Sequence, residues 1–330
     1  MRVSVLGGGS WGTTVASLVA RRHDTMLWAR DAVVAAEITE AHTNSKYLPG
    51  LTLNERLAAT DDLERATRHA ELLIIGVPTS AVRTTIAAAR DWVRPWIPAV
   101  SLSKGFEKGS LLRMTEVIAE ELPDHPIAAL TGPNIAREIL AGQAAASVIA
   151  THDLAVAKAI QSVLSTGLFR VYTNHDVVGC ELGGALKNVV AIACGIAQGL
   201  GVGDNTRSMV MTRGLAELSR LGVAMGGEAA TFAGLAGMGD LIVTCMSPNS
   251  RNRTVGEKLG QGMTLEEIRS SMNMVAEGLT TAVTAHELAH RHDVFLPVHE
   301  EMYKVVTGVN RPSASYRGLT MRPGHEAEPG

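Results

Sequence analysis

Short apolar runs alternate with segments of helical periodicity in the first half of the chain. The runs are typical of buried strands and occupy residues 3–6, 26–28, 72–77, 99–102, 127–130 and 147–149. The segments between them repeat apolar side chains at helical spacing over residues 13–22, 80–90 and 111–122. Strands that alternate with helices predict a parallel sheet that is covered by helices on both faces.

The pattern changes near Asp176, and from there to the end it is almost entirely helical. Glycine-rich stretches interrupt the helices at 199–203, 226–227 and 234–239. The change predicts an α/β domain over residues 1–178 and an all-helical domain over 179–330, with a frayed tail from about residue 322.

The composition favours a soluble protein that acts on small molecules. Hydrophobic residues make up 46% of the 330 residues and charged residues 19%, which are globular values, and a net charge of -3 gives no general attraction to nucleic acid. The longest apolar stretch, residues 188–203, is too short for a membrane span and is broken by glycines at 195, 199 and 201. We therefore expect a cytoplasmic protein.

The cysteines indicate a reducing compartment. There are only three, Cys180, Cys194 and Cys245, and they are far apart. Neither a disulfide framework nor a Cys-x-x-Cys metal site is expected from them.

The first strand runs directly into a glycine-rich motif, Gly7-Gly8-Gly9-Ser10-Trp11-Gly12, and a helical segment follows. In this setting Gly7 makes a tight turn, Gly9 lets the backbone approach a pyrophosphate, and Gly12 lets the helix pack on the strand. The helix N-terminus supplies N–H groups to the anion. The motif therefore predicts a Rossmann-like, doubly wound sheet that binds a dinucleotide.

The end of the second strand favours NADPH over NADH. Arg30 precedes Asp31 at the position where an acidic residue binds the ribose 2′-hydroxyl of NAD and an arginine pairs with the 2′-phosphate of NADP. The carboxyl ends of the later strands carry Ser103-Lys104-Gly105 and Thr131-Gly132-Pro133-Asn134. Because ligands of doubly wound sheets bind along this edge, we expect substrate and nicotinamide contacts there.

The helical half contains one lysine, Lys187, among small and apolar residues. A partly desolvated ammonium is suited to exchange a proton at neutral pH, and Asp240 could pair with it. Ser250-Arg251-Asn252 opens a further helical run. Guanidinium, amide, hydroxyl and helix N–H groups together form a local phosphate clamp.

Taken in order, these blocks resemble bacterial NAD(P)-dependent glycerol-3-phosphate dehydrogenase. The resemblance extends from the first strand to about Pro297 and rests on residues 7–12, 44–49, 103–105, 132–136, 183–188, 213–217, 234–241 and 250–253. It implies the reversible reduction of dihydroxyacetone phosphate to sn-glycerol 3-phosphate, which feeds phospholipid synthesis.

The resemblance also implies a role for each matching residue. Lys187 corresponds to the proton donor and acceptor, and Lys104 and Asp240 complete the catalytic set. The substrate contacts that it implies are Lys104, Gly132, Asn134, Lys187, Asp240, Ser250, Arg251 and Asn252. The NAD(P) contacts are Gly7, Gly9, Ser10, Trp11, Gly12, Arg30, Tyr47, Lys104, Ala136, Arg251, Val275 and Glu277. No metal is expected, and a homodimer is plausible because the helical domain is apolar.

His286-Glu287-Leu288-Ala289-His290 is a competing signal, because it matches the zinc-protease motif H-E-x-x-H. About 0.02 occurrences are expected by chance in this composition. The extended metzincin form fails at Asp293 and Leu296, and His292, His299 and Glu300 are only possible third ligands. The motif is therefore interpreted as the polar face of an amphipathic helix.

Three other functions remain as alternatives: a zinc metalloprotease, a non-catalytic NADPH sensor and a dehydrogenase of hydroxy acids. The retained set of Lys187, Asp240 and Arg251 argues against a sensor. The predicted phosphate clamp argues against a hydroxy-acid substrate.

Overall fold

A computed structural model describes residues 1–272 and 276–318, with side chains as far as Ser315. Its strands are β1 (Arg2–Leu6), β2 (Asp24–Trp28), β3 (Ala58–Thr60), β4 (Leu72–Ile75), β5 (Ala99–Ser101), β6 (Ile127–Thr131), β7 (Ala145–Ala150) and β8 (Phe169–Asn174). The helices between the strands are α1 (Ser10–Ala20), α2 (Ala32–Glu40), α3 (Leu63–His69), α4 (Val82–Ala89), α5 (Met114–Glu121), α6 (Ala136–Leu140) and α7 (Leu154–Leu164).

The rest of the described chain is helical, as predicted. It comprises α8 (Val177–Gly199), α9 (Asp204–Ala224), α10 (Ala229–Phe232), α11 (Asp240–Met246), α12 (Arg251–Gly260), α13 (Leu265–Ser270), α14 (Glu277–Arg291), α15 (Pro297–Val306) and α16 (Pro312–Gly318). The stretch 234–239 was predicted as a glycine-rich break. The structure instead has a π-helical turn over Leu235–Gly239, which leads directly into α11.

The eight strands form one sheet in the order β3-β2-β1-β4-β5-β6-β7-β8. The first six follow the order of the Rossmann fold, so the predicted fold class is confirmed. The prediction of a wholly parallel sheet is wrong at one point, since β7 pairs with β6 in the antiparallel direction. The connecting helix α6 has only five residues, about 7.5 Å, which is too short to return the chain along the sheet.

Both faces of β4, a central strand, are buried, which explains why its sequence is a continuous apolar run. Leu72 and Ile74 point into the core that includes residues of α1, α2 and α7, whereas Leu73 and Ile75 point into the core that includes residues of α3, α4 and α5. Alternate side chains of one strand therefore enter opposite layers. Because β4 pairs in parallel with β1 and β5, the carboxyl ends of these central strands lie along one edge of the sheet.

The chain divides into two compact units. The first unit comprises Met1–Ala185 and Gly222–Asp240, and the second comprises Leu186–Leu221 and Leu241–Gly330. The division falls within α8, and the segment 222–240 belongs to the first unit although it follows the long helices in sequence. The predicted domain boundary near residue 178 stays a prediction about the functional domains, and the predicted frayed tail from about 322 lies outside the described residues.

In the second unit, α8 and α12 pack against each other through glycines. A Cβ added to Gly195 would lie 2.9 Å from the Cα of Gly256, and a Cβ added to Gly199 would lie 2.9 Å from the Cα of Gly260. Both glycines were expected to interrupt the apolar stretch. Gly195 lies inside α8, whereas Gly199 is its last residue, so the predicted glycine-rich break at 199–203 begins where the helix ends. Within α8, the two glycines let two helix backbones come close together.

α8 is longer than the apolar stretch 188–203 that the sequence indicated, because the helix begins at Val177. Val177–Gly199 and Ala229–Met246 are long and apolar enough to cross a membrane by length and composition alone. Of the most apolar 18 residues in each segment, 94% are buried in α8 and 44% in the second segment. Length and apolar composition are only weak evidence for a membrane span, because the core helix of a soluble protein has both.

Candidate active site

The glycine-rich segment joins β1 to α1, as its motif predicts. Gly7 has a φ of +128°, and a Cβ there would lie 2.6 Å from the carbonyl group of Gly76. Its N–H donates to the carbonyl oxygen of Trp28 over 2.9 Å, which ties the turn to the end of β2. A residue with a side chain at position 7 is therefore excluded by both conformation and space.

The N-terminus of α1 has room for an anionic ligand. A Cβ added to Gly9 would meet no atom of the described residues within 4 Å, and Ser10 and Trp11 then begin the helix. The indole N–H of Trp11 is buried and has no hydrogen-bond partner among the described residues. The open space beside a helix N-terminus fits the pyrophosphate of a nicotinamide dinucleotide.

The motif at residues 44–49 braces this loop. The side-chain amide of Asn44, which is fully buried, donates to the carbonyl oxygen of Gly8 over 2.9 Å and to Oγ1 of Thr13 over 3.0 Å. The backbone N–H of Tyr47 is 3.3 Å from Oδ1 of Asn44. One asparagine side chain thus positions both the glycine loop and the segment that carries Tyr47.

Arg30 is exposed directly after β2, and its acidic neighbour is already engaged. One carboxylate oxygen of Asp31 accepts the N–H of Val33 and caps α2, and the other accepts Nζ of Lys46 at 3.0 Å. The hydrogen bonds from Lys46 and from the Val33 backbone hold the pKa of Asp31 below its usual value. Asp31 therefore pairs with Lys46, and Arg30 provides positive charge at the end of β2.

Lys104 follows β5 and forms an ion pair with Asp240 within the first unit. Its Nζ donates to Oδ2 of Asp240 and to the carbonyl oxygen of Gly132, each over 2.7 Å. The side chains of Lys104 and Asp240 are 17% and 1% exposed, so water screens the pair weakly. The structure thus brings together three of the predicted substrate residues. The predicted pairing of Asp240 with Lys187 stays a prediction.

Two buried polar atoms beside Gly132 lack hydrogen-bond partners among the described residues. They are Oγ1 of Thr131 and Nδ2 of Asn134, whose own Oδ1 accepts the hydroxyl of Ser147 over 2.5 Å. Because such atoms are costly to leave unpaired, both are expected to contact a ligand. Asn134 was predicted from the sequence, but Thr131 was given no role. Ala136, a predicted cofactor contact, is the first residue of α6.

Glu181 also received no role from the sequence, although it lies two residues before the block 183–188 that carries Lys187. Its carboxylate is buried and accepts the N–H and the hydroxyl of Thr115, at 2.9 and 2.5 Å, and a guanidinium N–H of Arg113 at 2.8 Å. Burial raises the pKa of Glu181, while Arg113 and Thr115 oppose the shift. Glu181 therefore anchors the first turns of α8 to the start of α5.

In the second unit, Lys187 is 5% exposed and lies within α8. Its Nζ donates to Oγ1 of Thr244, on α11, over 2.6 Å. A buried ammonium needs such a partner, because burying its charge without one would destabilise the fold by roughly several kcal/mol. Thr244 therefore positions the predicted proton donor, a role that the sequence gave no reason to assign.

The predicted helix start at Ser250 is confirmed, since Oγ of Ser250 accepts the N–H of Arg253 and caps α12. Arg251 is exposed in the first turn. The amide of Asn252 donates to Oδ1 of Asn188 and accepts the N–H of Gly278, each over 3.0 Å. Asn252 thus links α8, α12 and α14 through one side chain.

The predicted later cofactor contacts are only partly described. Glu277 is the first residue of α14 and is half-buried, whereas Val275 lies outside the described residues.

Glu217, from the block at residues 213–217, has a structural function. Its carboxylate accepts the backbone N–H groups of Val298 and His299, at 2.8 and 3.1 Å. It also lies 2.8 Å from Nδ1 of His299, and both side chains are 1% exposed. Glu217 therefore caps the N-terminus of α15 from a distant helix, α9.

Doubly wound sheets that open with this loop bind nicotinamide dinucleotides, and the fold, with Lys187 buried and Lys104 half-buried, is that of an NAD(P)-dependent dehydrogenase. Comparison with known sequences is more specific. The profile of the NAD-dependent glycerol-3-phosphate dehydrogenase N-terminus matches residues 2–157, and that of its C-terminus matches residues 176–317. The chain belongs to the NAD-dependent glycerol-3-phosphate dehydrogenase family.

Individual relatives agree with the profiles. Glycerol-3-phosphate dehydrogenase [NAD(P)+] 2 of Sphingopyxis alaskensis is 53% identical over 100% of this chain and 99% of its own. Glycerol-3-phosphate dehydrogenase [NAD(P)+] 1 of Mycobacterium bovis is 49% identical over 98% and 96%. The crystal structure of glycerol-3-phosphate dehydrogenase from Coxiella burnetii superposes with a TM-score of 0.93 at 34% identity, over 97% of this chain and 98% of that one.

The resemblance that the sequence blocks indicated is thereby confirmed over the whole of its extent. None of these comparisons supports the metalloprotease or the non-catalytic sensor.

Proposed function

We propose that the protein catalyses the reversible reduction of dihydroxyacetone phosphate to sn-glycerol 3-phosphate with NAD(P)H, and that the product supplies phospholipid synthesis. Relatives named glycerol-3-phosphate dehydrogenase [NAD(P)+] match the chain at 53% and 49% identity over nearly its full length. The observation that carries the proposal is the ammonium of Lys187, which is buried in α8 and held by the hydroxyl of Thr244.

A bound NAD(P)H supplies hydride to the ketone carbon. Lys187, as the ammonium, donates a proton from Nζ to the ketone oxygen, and Thr244 keeps that Nζ in place. Lys104 is proposed as the second catalytic lysine, and the carbonyl oxygen of Gly132 and the carboxylate of Asp240 fix the position of its Nζ. In the reverse direction Lys187 accepts the proton.

The phosphate group of the substrate would be held by Ser250, Arg251 and Asn252. The guanidinium of Arg251 and the first N–H groups of α12 suit a dianion, since both favour negative charge. Binding energy from this remote group orients the ketone and raises the rate where it is realised in the transition state. Gly132 and Asn134 are proposed as further substrate contacts, and the unpartnered Nδ2 of Asn134 supports that role.

The cofactor residues are proposed as the sequence assigned them, with NADPH preferred over NADH. The preference is supported by Arg30, which is exposed at the end of β2, and by the engagement of Asp31 with Lys46 and with the cap of α2. The charge of Asp31 is offset by Lys46, and the guanidinium of Arg30 suits a 2′-phosphate.

The activity is tested by the near-ultraviolet absorbance of the reduced cofactor in the presence of dihydroxyacetone phosphate. NADPH and NADH are assayed separately, with a chelator in a parallel sample. We expect substrate-dependent oxidation that is faster with NADPH and indifferent to the chelator. If folded protein oxidises neither cofactor, the proposed reaction is wrong.

The cofactor preference is tested with Arg30→Asp. Hydrogen bonds to charged groups contribute about 1.5–3 kcal/mol, so the kcat/KM ratio of NADPH to NADH should fall by about 10- to 100-fold. Arg65→Asp, an exposed arginine on α3, serves as the matched control and should leave the ratio unchanged. An unchanged ratio in Arg30→Asp would mean that Arg30 does not contact the 2′-phosphate.

We further propose that the protein acts in the cytoplasm, binds no nucleic acid, does not span a membrane and forms a homodimer. Three buried free cysteines support a reducing compartment, and the net charge of -3 supports a small-molecule substrate. The functional domains are proposed as residues 1–178 for the cofactor and 179–330 for catalysis. The reaction is proposed to need no metal.

A further inference from the structure

We propose that His286, His290 and Glu300 bind one divalent transition-metal ion of the Zn²⁺ class at a site that takes no part in the dehydrogenase reaction. One donor atom from each of the three residues lies within 4.8 Å of the other two. The sequence pointed to the two histidines and offered Glu300 as one of three possible third ligands. The structure supplies Glu300 from α15.

The helix geometry explains why the histidines converge. His286 and His290 are one turn apart on α14, so that both project from the same face, and their ring centroids are 4.5 Å apart. His290 is exposed and His286 is half-buried, which leaves the site open to an ion from solvent.

Packing by α15 fixes the third donor and one of the rings. Oε2 of Glu300 is 2.6 Å from Nδ1 of His286. Tyr303, one turn later on α15, stacks on the ring of His286 with centroids 3.7 Å apart and planes 1° from parallel. The orientation of the His286 ring is therefore set before any metal binds. Only the side chains of His290 and Glu300 would need to move when the ion binds.

The donor set suits Zn²⁺. Two imidazole nitrogens and one carboxylate oxygen, each about 2.0–2.2 Å from the metal, leave a fourth tetrahedral position for water. Donor atoms in such a site are about 3.3 Å apart, so a spread of up to 4.8 Å must contract by roughly 1.5 Å at most. Rotation of the exposed His290 side chain can supply that movement.

Lys304 competes with a metal ion for Glu300. Nζ of Lys304 is 3.7 Å from Oε1 of Glu300, but it lies closer, at 2.9 Å, to Oε1 of Glu301. Lys304 can therefore stay paired with Glu301 while Glu300 binds the metal.

The other two residues that the sequence offered as third ligands have different positions. His299 is buried against Glu217, and His292 is the residue that ends α14. The bound ion would join α14 to α15.

The metal site and the proposed cofactor contact Glu277 lie at different positions along α14. His286 follows Glu277 by nine residues on α14, about 13.5 Å along the helix axis. Metal binding is therefore expected to proceed without substrate or cofactor.

The experiment titrates ZnCl₂ alone into the full-length, tag-free protein after chelator treatment, with calorimetry as the readout and circular dichroism as the check of folding. We expect one Zn²⁺ per chain and a melting temperature that rises on binding. Co²⁺ in place of Zn²⁺ should give visible d–d absorption of a tetrahedral site. His290→Asn and Glu300→Gln should each weaken binding by at least about 10-fold.

Two controls locate the ion. Glu287→Gln is exposed on the same helix, and His292→Asn changes a histidine that the cluster does not include. Both should bind Zn²⁺ as the parent does. Sub-stoichiometric binding by the parent, or equal loss in the control variants, would overturn the proposal. Because none of these readouts uses turnover, they are independent of the proposed reaction.

Discussion

Replacement of Glu217 by alanine should destabilise the protein strongly and leave its chemistry intact. The carboxylate accepts two backbone N–H groups at the start of α15 and lies in hydrogen-bond contact with the ring of His299, and all three partners are buried. Each buried donor left without an acceptor costs about 1–3 kcal/mol. Three such donors give about 3–9 kcal/mol, and water that enters the vacated space reduces the loss to about 3–5 kcal/mol.

Urea unfolding followed by circular dichroism measures this effect. With a slope of about 3 kcal/mol per molar urea, the midpoint should fall by about 1 M or more. Glu228→Ala is the matched control, because it removes a carboxylate that pairs with a histidine on an exposed surface, and the midpoint should hardly move. Below its unfolding range, Glu217→Ala should retain kcat within about threefold.

Two results would refute this reasoning. A midpoint within experimental error of the parent would mean that the three contacts contribute nothing. A large loss of kcat in stable, folded Glu217→Ala would mean that Glu217 belongs to the catalytic machinery.

Three other changes test the site and its surroundings. Lys187→Met should lower kcat by about 10²–10⁴-fold while NADPH binding, followed by fluorescence, survives; unchanged turnover would remove Lys187 from the proton transfer. Gly184→Ala would place a Cβ 2.6 Å from Oγ1 of Thr131 and should destabilise the fold by about 1–3 kcal/mol, measured by urea unfolding. The double variant that also carries Thr131→Ala should regain stability, because the clashing hydroxyl is removed. Burial raises the pKa of Cys180, so its thiolate stays scarce as pH rises through the usual thiol range, and a disulfide reagent should label it only after unfolding; rapid labelling of the native protein would contradict this.

The strands that the sequence pattern missed are those without a continuous apolar run. β3 is only three residues long, Ala58–Thr60, and nothing in Ala-Ala-Thr distinguishes it from a loop. β8, Phe169–Asn174, instead alternates buried and exposed residues, as a strand with one solvated face does. A search for period-two alternation would have found β8, whereas β3 depends on pairing with β2.

In the site, too, features that depend on neighbouring residues could be predicted from the sequence, whereas contacts between distant residues could not. The cap at Ser250 was predictable because its hydroxyl and the helix start are adjacent in sequence. The ion pair of Lys104 joins it to Asp240, 136 residues later, and the choice of partner depends on how the chain folds back. Thr244 and Glu217 escaped notice for the same reason, since each acts on a group that is distant in sequence.

The glycine contacts between α8 and α12 have a consequence for how variants of this protein would be classified. α12 begins with the residues proposed to hold the phosphate, and α8 carries Lys187, so any side chain added at Gly195 or Gly256 forces the two backbones apart. In a saturation screen scored by growth, these glycines would group with the catalytic residues although neither has a side chain to offer the substrate. Intolerance to substitution at these glycines would reflect the close packing of α8 against α12. A map of essential residues would therefore include helix-packing positions as well as the residues of the reaction.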